Sequence, residues 1–384
     1  MRNKKRNNNG TYYYDYSLIA ILVFLLAFGL VMLYSISAYT AVSDGYDDMY
    51  YFKRQFIYTI IGFIGMLVIS RIPYHLFGAV SKFLYWFSMF MMILVLTPLG
   101  IEAGGARRWI SVPIIGQFQP SEITKVAIIV FLPFLICQMG RRIEQREHWR
   151  KILIYGGIAA GGVFVFTDNL STAVIVFGIV LGILWIVLPQ AKQMIAFMLI
   201  AFVAGYGFLI KWGVAILEGM DTFRGERILV WLEPEKYASD GGYQVLQGLY
   251  AVGSGGWFGK GLGNGTQKLS AIPEVQNDYI IAAIIEELGI FGAGIVLLMF
   301  GILLYRLFFI AKNAPDMYGS LVVSGIFIHI ALQIVLNIAV VTALIPNTGV
   351  TLPFISYGGT AMVFLLAEMG MALSVSRKIK ISES

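Results

Sequence analysis

Ten apolar runs recur along the chain, at 17–39, 54–71, 78–99, 121–139, 152–167, 170–188, 193–213, 278–305, 318–345 and 358–376. Each is close to the roughly 17–25 residues that an α-helix needs to cross the hydrocarbon of a bilayer. The pattern predicts an all-α polytopic membrane protein with about ten transmembrane helices. The first run is too long for a signal-peptide core and no small-residue cleavage site follows it, so it is expected to remain as the first span. Residues 17–376 form one transmembrane domain on this reading, flanked by a basic N-terminus at 1–16 and a tail at 377–384. One polar interval, 214–277 between the seventh and eighth spans, is far longer than the rest.

Basic residues favour alternate loops. One set holds Arg2, Lys4, Lys5 and Arg6, then Arg71, then Arg141, Arg142, Arg146, Arg150 and Lys151, then Lys192, Arg306, Lys312, Arg377, Lys378 and Lys380. Cytoplasmic loops carry such an excess, so this set is expected inside a plasma membrane, with both termini cytoplasmic and 214–277 as a large extracellular loop. Asp44, Asp47 and Asp48 fall on the outer side. So do the cations Arg107, Arg108, Lys125, Arg224, Arg227, Lys260 and Lys268, against the rule. Either they serve anions, or the long loop was translocated regardless of charge.

Composition agrees: 58% of residues are apolar, 13% are charged, and the mean hydropathy is +0.77. A soluble domain carries about 25% charge. The net charge of +6 follows the loops, which removes the usual reason to expect nucleic acid. The lone Cys137 and the scattered His75, His148 and His329 make no disulfide framework, thiolate cluster or zinc motif, so no metal site is assigned.

Four polar stretches could carry chemistry. In IPEVQNDYIIAAIIEELG, Ile272–Gly289, Asp278 enters the eighth span at its outer end, either as a helix cap or as a water-facing general base. Glu286 and Glu287 lie deeper, where a carboxylate faces a cavity or pairs with a cation. Helical geometry puts Glu286 about 12 Å below Asp278 and about 80° around, too far apart for a two-carboxylate hydrolase. GSGGWFGKGLGNG, Gly253–Gly265, lacks the GK[ST] ending of a P-loop and reads as a tight, surface or re-entrant loop around Lys260. GARRWI and FQPSEITK bring Arg108, Trp109, Ser121, Glu122 and Lys125 around the start of the fourth span, as a helix entrance with an i,i+3 ion pair or as a substrate site. IPNTGVTLPFISYGGT, Ile345–Thr360, must be covered by protein or line a wet cavity if it lies at membrane depth.

Together these stretches, with GYQVLQGLYAVGSGGWFGKGLGNG, resemble the SEDS family (shape, elongation, division and sporulation) in order and spacing, from the first span to Ser376. The wording of 267–278 is nearer to the FtsW and SpoVE branch than to RodA. The resemblance implies a ten-span peptidoglycan glycosyltransferase that polymerises lipid II into a nascent glycan strand. Its implied partners are a class B penicillin-binding protein, other division proteins and membrane lipids. It places the essential aspartate on Asp278, functional positions on Arg108, Trp109, Pro120, Ser121 and Glu122, and makes Gln247 in the GYQVLQ stretch a substrate contact. One departure stands out: DNLSTA at Asp168–Ala173 has Asn169 where the family often has an acid in PDLGTA.

The chemistry then needs a base for the attacking sugar hydroxyl, Asp278, and cations for a departing polyprenyl pyrophosphate: Arg108, Lys125, Arg227 and Lys260. A divalent ion, Mg or Mn, can share the second task. A lone carboxylate suits direct displacement with inversion. Two rivals are a flippase for the same lipid, motivated by Glu286 and Glu287, and a non-catalytic division scaffold.

Overall fold

The computed structural model describes residues 11–103, 106–112, 116–188, 191–217, 223–267, 272 and 274–381. Lys268, the first ten residues and the side chains of Lys192 and Arg224 lie outside the described residues.

Every apolar run falls on a helix. A short strand β1 (Thr11–Tyr12) leads into α1 (Tyr16–Ser43), α2 (Tyr50–Ile69) and α3 (His75–Leu94). A three-stranded antiparallel meander follows, β2 (Gly100–Ala103), β3 (Ala106–Val112) and β4 (Gly116–Phe118). Then come α4 (Pro120–Met139), α5 (Arg146–Thr167), α6 (Leu170–Val187) and α7 (Ala191–Leu217). The long interval is not a plain loop, since it holds α8 (Phe223–Leu232) and α9 (Tyr243–Gly255). The chain finishes with α10 (Ile280–Asn313), α11 (Met317–Val341), α12 (Thr360–Ser376) and β5 (Lys380–Ile381). Eight helices, α1–α6, α10 and α11, are long and apolar enough to cross a membrane; α12 is shorter, and α7 covers the remaining run.

Local chemistry sets the helix ends. Asp15, Asn169 and Asp316 each accept a hydrogen bond from the third residue of the helix that follows, satisfying a donor that the helix leaves open. Pro120 opens α4 and Glu122 sits in its first turn, on the positive end of the dipole.

Strand β1 pairs with β5, so the first and last described residues lie at one end of the bundle, called here the terminal end. Arg306 of α10 pairs with the buried Asp15 at 2.7 Å and ties α10 to the start of α1. The meander, α8, α9 and the 342–359 segment gather at the opposite, loop end.

Helices α4 and α11 are the centre, with 56% and 61% of their apolar windows buried, against 22% for α2. On α2, Phe56, Ile57, Ile60, Ile61, Ile64 and Val68 are exposed. Such a face is a liability in water and ordinary against hydrocarbon. Apolar packing gives helices little reason to associate in lipid, so buried polar ties matter. His329 of α11 meets Glu368 of α12 at 2.8 Å, each 1% exposed.

Two backbone features shape the loop end. Gly29 of α1 lets the 350–359 segment descend into the bundle, because a Cβ there would lie 2.8 Å from both Ile355 Cα and Phe354 O. Leu352, Phe354 and Ile355 are buried, so protein covers this irregular stretch. Helix α10 is broken at Gly289 (φ 71, ψ −176). The glycine-rich loop fills the break: Lys260 N and Gly261 N donate to Glu286 O and Glu287 O, and Ile290 N and Phe291 N donate to Gly256 O and Trp257 O. An unsatisfied helix break is thereby converted into a paired one.

Candidate active site

Asp278 sits in the turn before α10, at the loop end. Asn337 of α11 holds that turn: its amide donates to Asp278 O at 2.8 Å and to Val350 O at 2.7 Å. Tyr357 N donates to Gln276 O at 2.9 Å, so the 342–359 segment grips the turn from the other side. Asp278 is only 7% exposed, which corrects the water-facing position expected from sequence. The covering elements come from distant parts of the chain, α8 and 342–359, and no local pattern announces them.

Burial dominates the electrostatics of this acid and pushes its pKa up to about 7. Glu274 adds to the rise, while Arg227 and a hydrogen bond with Asn347 oppose it. Arg227, on α8, donates to Asn347 O at 3.4 Å, and Asn347 donates to Gln244 Oε1 on α9 at 3.0 Å. Burial lowers the Arg227 pKa, and the charges of Asp278 and Asp168 raise it. A carboxylate, a guanidinium and two amides thus share one enclosed corner.

Arg108 reaches the same region from β3, donating to Asp168 O at 3.0 Å. Asp168 ends α5 in the left-handed conformation (φ 46, ψ 36), which Asp tolerates better than most residues. Asn169 is the cap of α6, its Oδ1 accepting from Thr172 N at 3.0 Å, so the departure at this position keeps a helix-capping oxygen. Ser171 donates to Thr348 O at 2.7 Å and binds the α5–α6 junction to the 342–359 segment. Among the described residues, four non-glycine residues have positive φ: Asp168, Glu274, Ala343 and Phe354. All lie in the segments around Asp278, and backbone strain of this kind collects at functional sites.

The other candidates separate. Trp109 pairs with Ile101 and, by strand alternation, points to the face of the meander opposite Arg108. Ser121, Glu122 and Lys125 are buried on α4, with Lys125 Nζ 2.9 Å from Glu122 Oε2, the i,i+3 pair that the spacing allows. Gln247 is half-buried on α9 and makes no side-chain hydrogen bond among the described residues.

Glu286, a candidate substrate contact, is instead fully buried and paired with a cation, whereas Lys260 keeps 30% of its side chain exposed. Lys260 Nζ lies 2.7 Å from Glu286 Oε1, and Thr266 N, Thr266 Oγ1 and Gln267 N also donate to that carboxylate. Glu287 accepts from Ser35 of α1 at 2.8 Å and from Gly263 N at 3.1 Å. Together they brace the glycine-rich loop across the α10 break.

Next to the turn, on the side of Asn277, a cavity of about 490 Å³ opens between the ends of α1 and α2, the 272–277 segment and Tyr357. The carbonyl oxygens of the Gln276 and Asn277 side chains are buried without hydrogen-bond partners. Among the described residues, no three His, Cys, Asp or Glu side chains converge as a metal cage.

The family described as Cell cycle protein, which gathers FtsW, RodA and SpoVE, matches residues 16–381. The chain belongs to this family. It is 36% identical over 366 residues to Stage V sporulation protein E of Bacillus subtilis, covering 94% of this chain and 97% of that one. It is 33% identical over 370 residues to the probable peptidoglycan glycosyltransferase FtsW of a Geobacter species, covering 96% and 98%. Among solved structures, a chain from work titled "Structural coordination of polymerization and crosslinking by a peptidoglycan synthase complex" shares the fold, with a TM-score of 0.76 and 24% identity over 95% of this chain and 98% of that one. The rod shape determining protein RodA of Thermus thermophilus shares it at a TM-score of 0.66, with 24% identity over 96% and 98%.

Proposed function

We propose that this chain is a peptidoglycan glycosyltransferase that polymerises lipid II on the outer face of the plasma membrane, in cell division or sporulation, with Asp278 as general base. The observation that carries the mechanism is the enclosed acid beside Arg227: a carboxyl with a pKa of about 7 is half ionised near neutral pH and can take a proton there. The names of the FtsW relatives support the reaction class.

In the proposed step the acceptor sugar hydroxyl attacks the anomeric carbon of the donor. Its proton passes to the Asp278 carboxylate as the new C–O bond forms. The bond from the anomeric carbon to the pyrophosphate oxygen breaks, and the electron pair leaves with the polyprenyl pyrophosphate. Arg227, with Arg108 on the neighbouring strand, meets the charge that develops there. The second acid of the same segment, Glu286, is committed to Lys260, which leaves one base and favours single displacement with inversion. The leaving-group charge is assigned to the arginines, and a divalent ion carried by the pyrophosphate would share it. A class B penicillin-binding protein fits as partner, since a chain of like fold comes from a complex titled for polymerization and crosslinking.

The flippase alternative draws on the break in α10 and its buried acids. Both acids are saturated by donors from the loop and from α1, which suits a brace better than a proton carrier. Purified protein with its transpeptidase partner and labelled lipid II tests the proposal. Wild type should give glycan ladders and Asp278→Asn none, with both proteins folded; undiminished ladders from the variant would refute the role.

A further inference from the structure

At the terminal end, far from Asp278, a second cavity of about 400 Å³ lies between the end of α2, the end of α12 and the segment before α1. Arg71, Arg377 and Lys378 line it with Tyr14, Ser70 and Ser374, and no carboxylate does. Arg306, by contrast, is paired at this end with the buried Asp15. Among the described residues, Arg71, Arg377 and Lys378 have no carboxylate within ion-pair distance.

The cavity has a fixed frame. Arg377 donates to Ser70 O at 3.3 Å, and Ser374 Oγ donates to Ile72 O, so the ends of α2 and α12 are tied together. A helix C-terminus welcomes one cation, and Arg377 fills that role for α2. Dipole compensation does not call for three cations and several hydroxyls around one concavity. Like charges held together repel unless an anion joins them.

We propose that this cavity binds a phosphate-bearing anion, supplied by the headgroup of an anionic phospholipid of the bilayer. Its position favours the lipid over free phosphate. It opens where α2 leaves its apolar stretch, and the exposed Ile64 and Val68 run from it along the hydrocarbon-facing side of α2, where an acyl chain would lie. Basic pockets at the cytoplasmic ends of membrane helices recognise headgroups by this chemistry. The inference is independent of the role given to Asp278.

Native mass spectrometry of the full chain, released from micelles doped with phosphatidylglycerol or phosphatidylcholine, tests it. Wild type should retain phosphatidylglycerol and not phosphatidylcholine. Lys378→Gln, which disturbs no hydrogen bond of the fold, should weaken retention roughly five-fold, and the Arg71→Gln, Arg377→Gln, Lys378→Gln triple variant roughly 100-fold. Arg150→Gln, an exposed cation on α5 at the same end, should change nothing. Equal retention by the triple and wild-type proteins would overturn the site, as would equal retention of the two lipids. Displacement of phosphatidylglycerol by millimolar inorganic phosphate would overturn the assignment to lipid.

Discussion

Replacing Asn337 by alanine removes one amide that holds two buried carbonyls, those of Asp278 and Val350. Each buried acceptor left unpaired costs about 1–3 kcal/mol, and water entering the vacated space offsets part, so the variant should lose about 2–4 kcal/mol of stability. The larger effect should be on the reaction. Without its tether to α11 the turn carrying Asp278 can shift, and a misplacement of about 1 Å costs on the order of 100-fold in rate. The expected outcome is a kcat reduced roughly 10- to 100-fold with KM for lipid II changed less than about two-fold, since Asn337 holds the base and not the substrate. Gln333→Ala is the control, four residues back on the same face of α11, where Nε2 donates to Thr351 O at 3.0 Å. That variant loses a similar bond to the same segment, away from Asp278, and should lose about 1–3 kcal/mol with kcat nearly intact. Initial rates of glycan formation, alongside detergent melting curves, separate the cases. Wild-type kcat in Asn337→Ala, or an equal fall in Gln333→Ala, would refute the reasoning.

Two further outcomes follow from the buried charges. Asp278 keeps its proton up to about pH 7 when folded and releases it near 3.8 when unfolded, so the folded chain binds more protons in that window and stability falls as pH rises through it. About three pKa units correspond to at most about 4 kcal/mol, so Asp278→Asn should melt above wild type at pH 8 and lose that advantage near pH 4; a pH-independent difference counts against a buried charge. Lys260→Met leaves Glu286 with its Thr266 and Gln267 donors and should cost roughly 1–2 kcal/mol, the lower range because Lys260 is 30% exposed. Limited proteolysis should then cut within 256–267 faster, and adding Glu286→Gln should recover part of the loss.

The spans were legible because a bilayer imposes length and apolarity on every crossing segment, so hydropathy alone placed each run on a helix. The Glu122–Lys125 pair was legible from spacing, and Asp278 from its place at the head of an apolar helix. The break at Gly289 was not, because residues on both sides are apolar and the run reads as continuous. The meander at 100–118 was not, since its strands are short and lie in a polar, glycine-containing interval. Nor was the burial of Asp278, because the elements that hold its turn, α11 and the 342–359 segment, come from later in the chain. Asn337 does carry a sequence signal. An amide inside the 318–345 run is costly unless it has work to do, and with Gln333 and His329 it repeats every four residues along one side of α11.

The most direct measurement is the pH dependence of polymerisation, run on wild type and on Asp278→Asn. A base must be ionised to accept a proton, so wild-type log kcat/KM should rise with unit slope to about pH 7 and level off above it, while the variant shows no such limb. A wild-type profile that is flat from pH 5 to 8, or the same limb in Asp278→Asn, would contradict the assignment of Asp278 as the base.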